Sequence, residues 1–140
     1  PPCLDRPRNN GDRGVNQVSR LRHAEAARVD RARLEALVFD HGPQGAERLM
    51  GRTLEDLAVR LNRADRAWRK GQPSALCRDA RALADVAEDV GLVGLAQVAR
   101  VVGDLVPTGD SAAIGATVAR MMRIGEASLM SAWDLDGQTL

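Results

Sequence analysis

The sequence predicts an all-α protein, an antiparallel four-helix bundle with an additional N-terminal helix. Three observations point there. Aromatic residues are 2% of the chain (Phe39, Trp68 and Trp133, with no tyrosine), whereas strands enrich aromatic and β-branched residues. Apolar residues recur at alternating steps of three and four, and no stretch alternates with period two for long enough to be a strand. Short Gly/Pro turns separate the periodic stretches, so consecutive helices must fold back on one another.

The elements follow in order. Residues 1–14, "PPCLDRPRNNGDRG", are rich in Pro, Gly, Asn and charge and are expected to be a disordered tail. Residues 15–29 carry Val15, Val18, Leu21, Ala24 and Val29, a modest amphipathic helix whose other face holds Arg20, Arg22 and Arg28. Asp30 is placed to cap the next segment, "RARLEALVFDHG", which ends at Gly42. "GPQG" is a turn.

A long helix over about residues 44–70 then presents Met50, Leu54, Leu57, Leu61, Ala64 and Trp68 at steps of four, three, four, three and four, a bundle seam. Arg66, Arg69 and Lys70 complement its C-terminal dipole, and Gly71 stops it. Pro73 suits the first turn of the following helix, which buries Leu76, Ala80, Leu83, Ala87 and Val90 and ends at Gly91. Leu92, Leu95, Ala99, Val102 and Val106 repeat the spacing. "PTGD" is a turn, and a last helix over about residues 110–132 buries Ile114, Val118 and Met121. Residues 133–140 are read as a polar tail. The bundle proper therefore spans residues 30–132.

Composition limits the function. The 140 residues make one domain. A net charge of +1 gives no general affinity for nucleic acid. Residues 1–33 do hold eight arginines against four acids. Without aromatic interleaving or a helix-turn-helix signal, a nucleic-acid arm is the weakest reading. No run is long enough to span a bilayer and none resembles a signal peptide, so a cytoplasmic protein is expected. The Pro-Pro start suits a processed chain or a fragment. Two cysteines, Cys3 and Cys77, give no disulfide framework, and free thiols are expected. Lys70 is the single lysine, which leaves little room for lysine chemistry.

Chemical motifs are sparse. His23 and His41 have no second His or Cys at ligand spacing. Asp85, Glu88 and Asp89 share a helix face but read as solvated carboxylates rather than a cation site. No phosphate loop, dinucleotide fingerprint or nucleophile elbow is present. No metal and no cofactor is expected.

The order of elements, and a Gly-Gln-Pro turn leading into "LCRDARALADVAEDVGLVGL", resemble the histidine-containing phosphotransfer (HPt) domain of bacterial two-component phosphorelays. That family is a four-helix bundle. Its signature helix reads His-x-Leu-Lys-Gly, with a glycine ten residues after the histidine and a leucine four beyond. Leu83, Gly91 and Leu95 match the leucine, the later glycine and the last leucine, and the resemblance covers about residues 30–132.

The departures fall on the chemistry. Arg81 stands at the histidine position, Ala84 at the lysine and Asp85 at the small glycine. Phosphotransfer needs a nucleophilic ring nitrogen, and a guanidinium, which stays protonated, cannot supply it. The resemblance thus implies a non-catalytic interaction module, with no enzyme activity of the family type. It would dock a response-regulator receiver domain or a histidine kinase through Cys77, Arg78, Arg81, Ala84, Asp85 and Glu88. There Arg81 would pair with the receiver's acidic pocket. The plainer expectation is that Arg81 pairs with Asp85 four residues on. An active phosphotransfer protein using His41, and a helical scaffold or dimerisation bundle unrelated to signalling, are the alternatives.

Overall fold

The computed structural model describes the backbone of residues 28–138 and the side chains of residues 28–132. Within that range the chain is all-α: α1 (Arg31–Arg69), α2 (Pro73–Asp89), α3 (Val93–Leu105), a single 3₁₀ turn (Val106–Thr108) and α4 (Ser111–Gln138). Among the described residues no strand forms, and one isolated bridge joins Val29 to Leu92. The expected tail 1–14 and most of the expected helix 15–29 lie outside the described residues, as do Cys3 and His23.

Asp30 caps α1 as its residue type predicts, accepting from the backbone N–H of Arg33 at 3.2 Å. Gly42 divides α1 into two helices, with φ 74° and ψ 165°. That is a region only glycine occupies readily, and the following Pro43 disfavours helical geometry at residue 42 as well. The predicted break between "DHG" and "PQG" is therefore a kink rather than a free turn. Along the second half of α1, Asp56–Arg60 and Asp65–Arg69 pair at 2.9 Å. In both pairs the acid precedes the base by four residues, the more favourable order.

α1 packs on α2, α2 on α3, α3 on α4, and α4 back on α1. The contacts show the direction of neighbours. Glu88 of α2 pairs with Arg100 of α3, while Cys77, earlier in α2, reaches Gly103, later in α3. Across α1 and α4, Trp68 lies against Gly115 and Leu61 against Gly125. In both pairs the numbers run against each other.

The core is most of the predicted set, with Met50, Trp68 and Val106 half-buried at its edge. Leu54, Leu57, Leu61, Leu76, Leu83, Leu95, Val102, Val118 and Met121 are buried. Each large apolar side chain so removed from water contributes about 1.5–3 kcal/mol. Between them lie Ala64, Ala80, Ala87, Ala96 and Ala99, also buried, and these small side chains let the helices approach closely. Gly115 and Gly125 extend this to α4. A methyl at Gly125 would lie 2.6 Å from Cδ2 of Leu61.

Two boundaries depart from the sequence reading. Arg28 and Val29 are not helical. Val29 bridges Leu92, and Asp30 N–H donates to Gly91 O at 2.7 Å, so the chain enters α1 extended along the α2–α3 turn. At the other end α4 continues through Gln138, where a tail was expected from residue 133. "SAWDLDGQ" holds no proline to stop it, and its one glycine comes at Gly137.

A candidate docking face around Arg81

α2 contacts both α1 and α3, so two helices cover it and its buried stripe is broad. Leu76, Ala80, Leu83, Ala87 and Val90 form that stripe as predicted, and Ala84 joins it at 1% exposure. Ala84 is therefore a core residue and not part of a docking face. The single-seam pattern in the sequence understates the burial of a helix flanked on two sides. Alanine, equally at home inside and outside, gave no signal of its own.

Arg78, Arg81, Asp85 and Glu88 are exposed, and Cys77 is half-buried. They do not form one patch. Pro73, Ser74, Cys77, Arg78 and Arg81 border a shallow hollow closed on the far side by Val106 and Pro107. No carboxylate lines it, so two guanidinium groups and the N-terminal turn of α2 set its charge. Asp85 and Glu88 lie one and two turns further along, outside the hollow. Glu88 turns to Arg100 on α3, and Asp89 lies 3.8 Å from Arg33 on α1. These partners on different helices separate the acidic trio seen in the sequence.

Arg81 itself lies across α3. A methyl built on Gly103 would come within 3.1 Å of Arg81 Cγ and 3.3 Å of its Nε. The buried glycine thus forms a flat seat for the arginine stem, and the charged head stays in water. Cys77 completes the contact from the turn before, its thiol donating to the Gly103 carbonyl at 3.6 Å. Sequence reasoning missed Gly103. The available signal was a glycine inside a helical run, which sacrifices about 1 kcal/mol relative to alanine and therefore suggests a close approach. The expected Arg81–Asp85 ion pair does not form, and among the described residues Arg81 has no ion-pair partner.

His41 is exposed at the end of the first half of α1, immediately before the kink. Among the described residues no group of three His, Cys, Asp or Glu side chains is placed to hold a metal ion. Cys77 is a free thiol. Among the described residues no helix is long and apolar enough to cross a membrane.

No protein-family model matches the sequence, and neither the curated proteins nor the solved structures contain a match to it.

Proposed function

We propose that this chain is an HPt-like interaction module that docks a receiver domain of a two-component phosphorelay, or its kinase, and does not itself carry phosphate. The observation that carries the reading is the state of Arg81. It is exposed, has no ion-pair partner among the described residues, and is held on the Gly103 seat beside Arg78. Sequence resemblance puts the phosphorylatable histidine of the HPt family at this same position in the helix.

A cation whose stem rests on Gly103 and whose head is open suits a partner that presents carboxylates. Charge-assisted pairs of that kind are about twice as strong as neutral hydrogen bonds. The acidic phosphorylation pocket of a receiver domain is such a partner. Arg78 and Arg81 would enter it in place of a transient phosphohistidine, with Val106 and Pro107 supplying an apolar rim. Asp85 and Glu88, outside the hollow, would border the contact and act on partner choice more than on affinity.

The test is affinity capture from the source cell with the full chain as bait, run beside Arg81→Glu. Receiver-domain proteins or histidine kinases should be enriched by the native chain and depleted at least tenfold by the charge reversal. Equal capture by both baits, or no such protein in either, would favour a scaffold unrelated to signalling.

A further inference from the structure

The hollow between α2 and the 3₁₀ turn offers more hydrogen-bond donors than one carboxylate can use. Ser74, Cys77, Arg78 and Arg81 line it and follow one another at steps of three, one and three, so they share one face of α2. Side chains on a helix tilt towards its N-terminus, which leans the Arg78 and Arg81 stems back towards Ser74. Among the described residues neither guanidinium has an ion-pair partner, and no carboxylate lines the hollow.

The first turn of α2 adds to these donors. Asp30 caps α1, and Asp110 accepts from the Ala113 N–H at the head of α4, but Gln72 makes no side-chain cap on α2. Pro73 has no N–H. The N–H groups of Ser74 and Ala75 come too early in the helix for an intrahelical partner, and they meet no other acceptor among the described residues.

One guanidinium engages both oxygens of a carboxylate in a bidentate pair, which would leave the second arginine over. A phosphoryl group brings three terminal oxygens and a charge of about −1.5 to −2 at neutral pH, a match for both arginines in charge and in donors. We propose that the hollow is a phosphoryl-binding site, and that docking through it is selective for the phosphorylated receiver. The source of the phosphoryl group rests on the docking reading above, and the shape of the hollow agrees with it. Val106 and Pro107 close the far side alone, too little to bury most of a free small molecule as ligand pockets do. A group displayed on a protein surface can enter. The phosphoryl group is held and not transferred, so no bond to phosphorus forms or breaks.

Two titrations of the full chain test this, followed by NMR at fixed ionic strength. Inorganic phosphate should shift the Ser74 and Ala75 amides and the Arg78 and Arg81 Nε–H signals along a saturating curve, with acetate roughly tenfold weaker. Arg81→Lys keeps the charge but loses the planar fork. It should weaken phosphate severalfold while the Leu83 and Leu95 signals hold their positions. A receiver domain from the same cell is then added, either unmodified or carrying beryllium trifluoride on its aspartate as the phosphoryl stand-in. The second form should bind roughly tenfold more tightly. No saturable phosphate shift at the hollow would overturn the proposal. So would equal binding of the two receiver forms, although equal binding that is lost in Arg81→Glu would leave the docking reading standing. Phosphate binding at the hollow with neither receiver form bound would uphold the phosphoryl site but overturn the receiver as its source, and the docking reading with it.

Discussion

At Gly91 the backbone is left-handed, φ +78°, and a methyl there would lie 2.9 Å from the carbonyl oxygen of Asp30. At Gly71 the backbone is also left-handed, φ +65°, but the space beside it is open. The two glycines separate conformational strain from steric conflict. Gly71→Ala should destabilise by the left-handed penalty alone, about 1–2 kcal/mol. Gly91→Ala should lose that and a further ~1–3 kcal/mol of overpacking, because backbone cannot yield as a side chain does. Urea denaturation of both variants reads the difference, and equal losses would contradict it.

Gly103 behaves differently. Its neighbour is the flexible, exposed stem of Arg81, and alanine in mid-helix gains about 1 kcal/mol over glycine. Gly103→Ala should therefore keep or raise stability while displacing Arg81 from its seat. Thermal unfolding together with partner binding checks both halves of that expectation. Of these three glycines the sequence marks Gly71 and Gly91 as stops. Gly103 stays hidden because its role depends on a side chain from another helix, 22 positions away by subtraction of the two residue numbers.

Among the elements, α1 shows both how much the apolar pattern foretells and where it stops. Its seam of Leu54, Leu57, Leu61 and Ala64 is buried as the spacing requires, and the Asp30 cap and Gly42 break fall where residue chemistry puts them. The attachment of its first half to the rest was not legible. That attachment runs through Asp30 N–H to Gly91 O, the Val29–Leu92 bridge, and Arg33 Nε to the Asp89 carbonyl at 3.0 Å. Backbone-directed bonds of this kind leave no periodic trace.

Removing the cap tests how the first half of α1 is held. Asp30→Ala should destabilise the protein by about 1 kcal/mol. Amides of residues 34–41 should exchange faster, while those of Leu57 to Ala64 stay protected. Uniform acceleration across α1 would show that the Gly42 kink does not separate two cooperative units. The C-terminal end of α4 escaped the sequence reading for a simpler reason. Polar residues mixed with Trp133 and Leu135 look like a tail, yet none of them prevents helix from continuing.

Over the whole molecule, the bundle class was readable because binary patterning decides it. The proposed docking face was legible only in outline. Four of its six expected members are exposed, Cys77 is half-buried and Ala84 is buried. The structure gathers Cys77, Arg78 and Arg81 around one hollow and leaves Asp85 and Glu88 outside it. Helical spacing places residues on a face, but the neighbouring helix decides which of them share a surface. Here Val106, Pro107 and Gly103 supply the other side.

We propose that Arg81 docks a receiver domain where an HPt histidine would take its phosphate. The most direct measurement incubates the full chain with a radiolabelled, phosphorylated receiver domain from the same cell, and reads binding and label transfer together. Binding should weaken at least tenfold in Arg81→Glu, with no label on the chain. Label appearing on the native chain and vanishing in His41→Ala, or binding indifferent to Arg81→Glu, would contradict it.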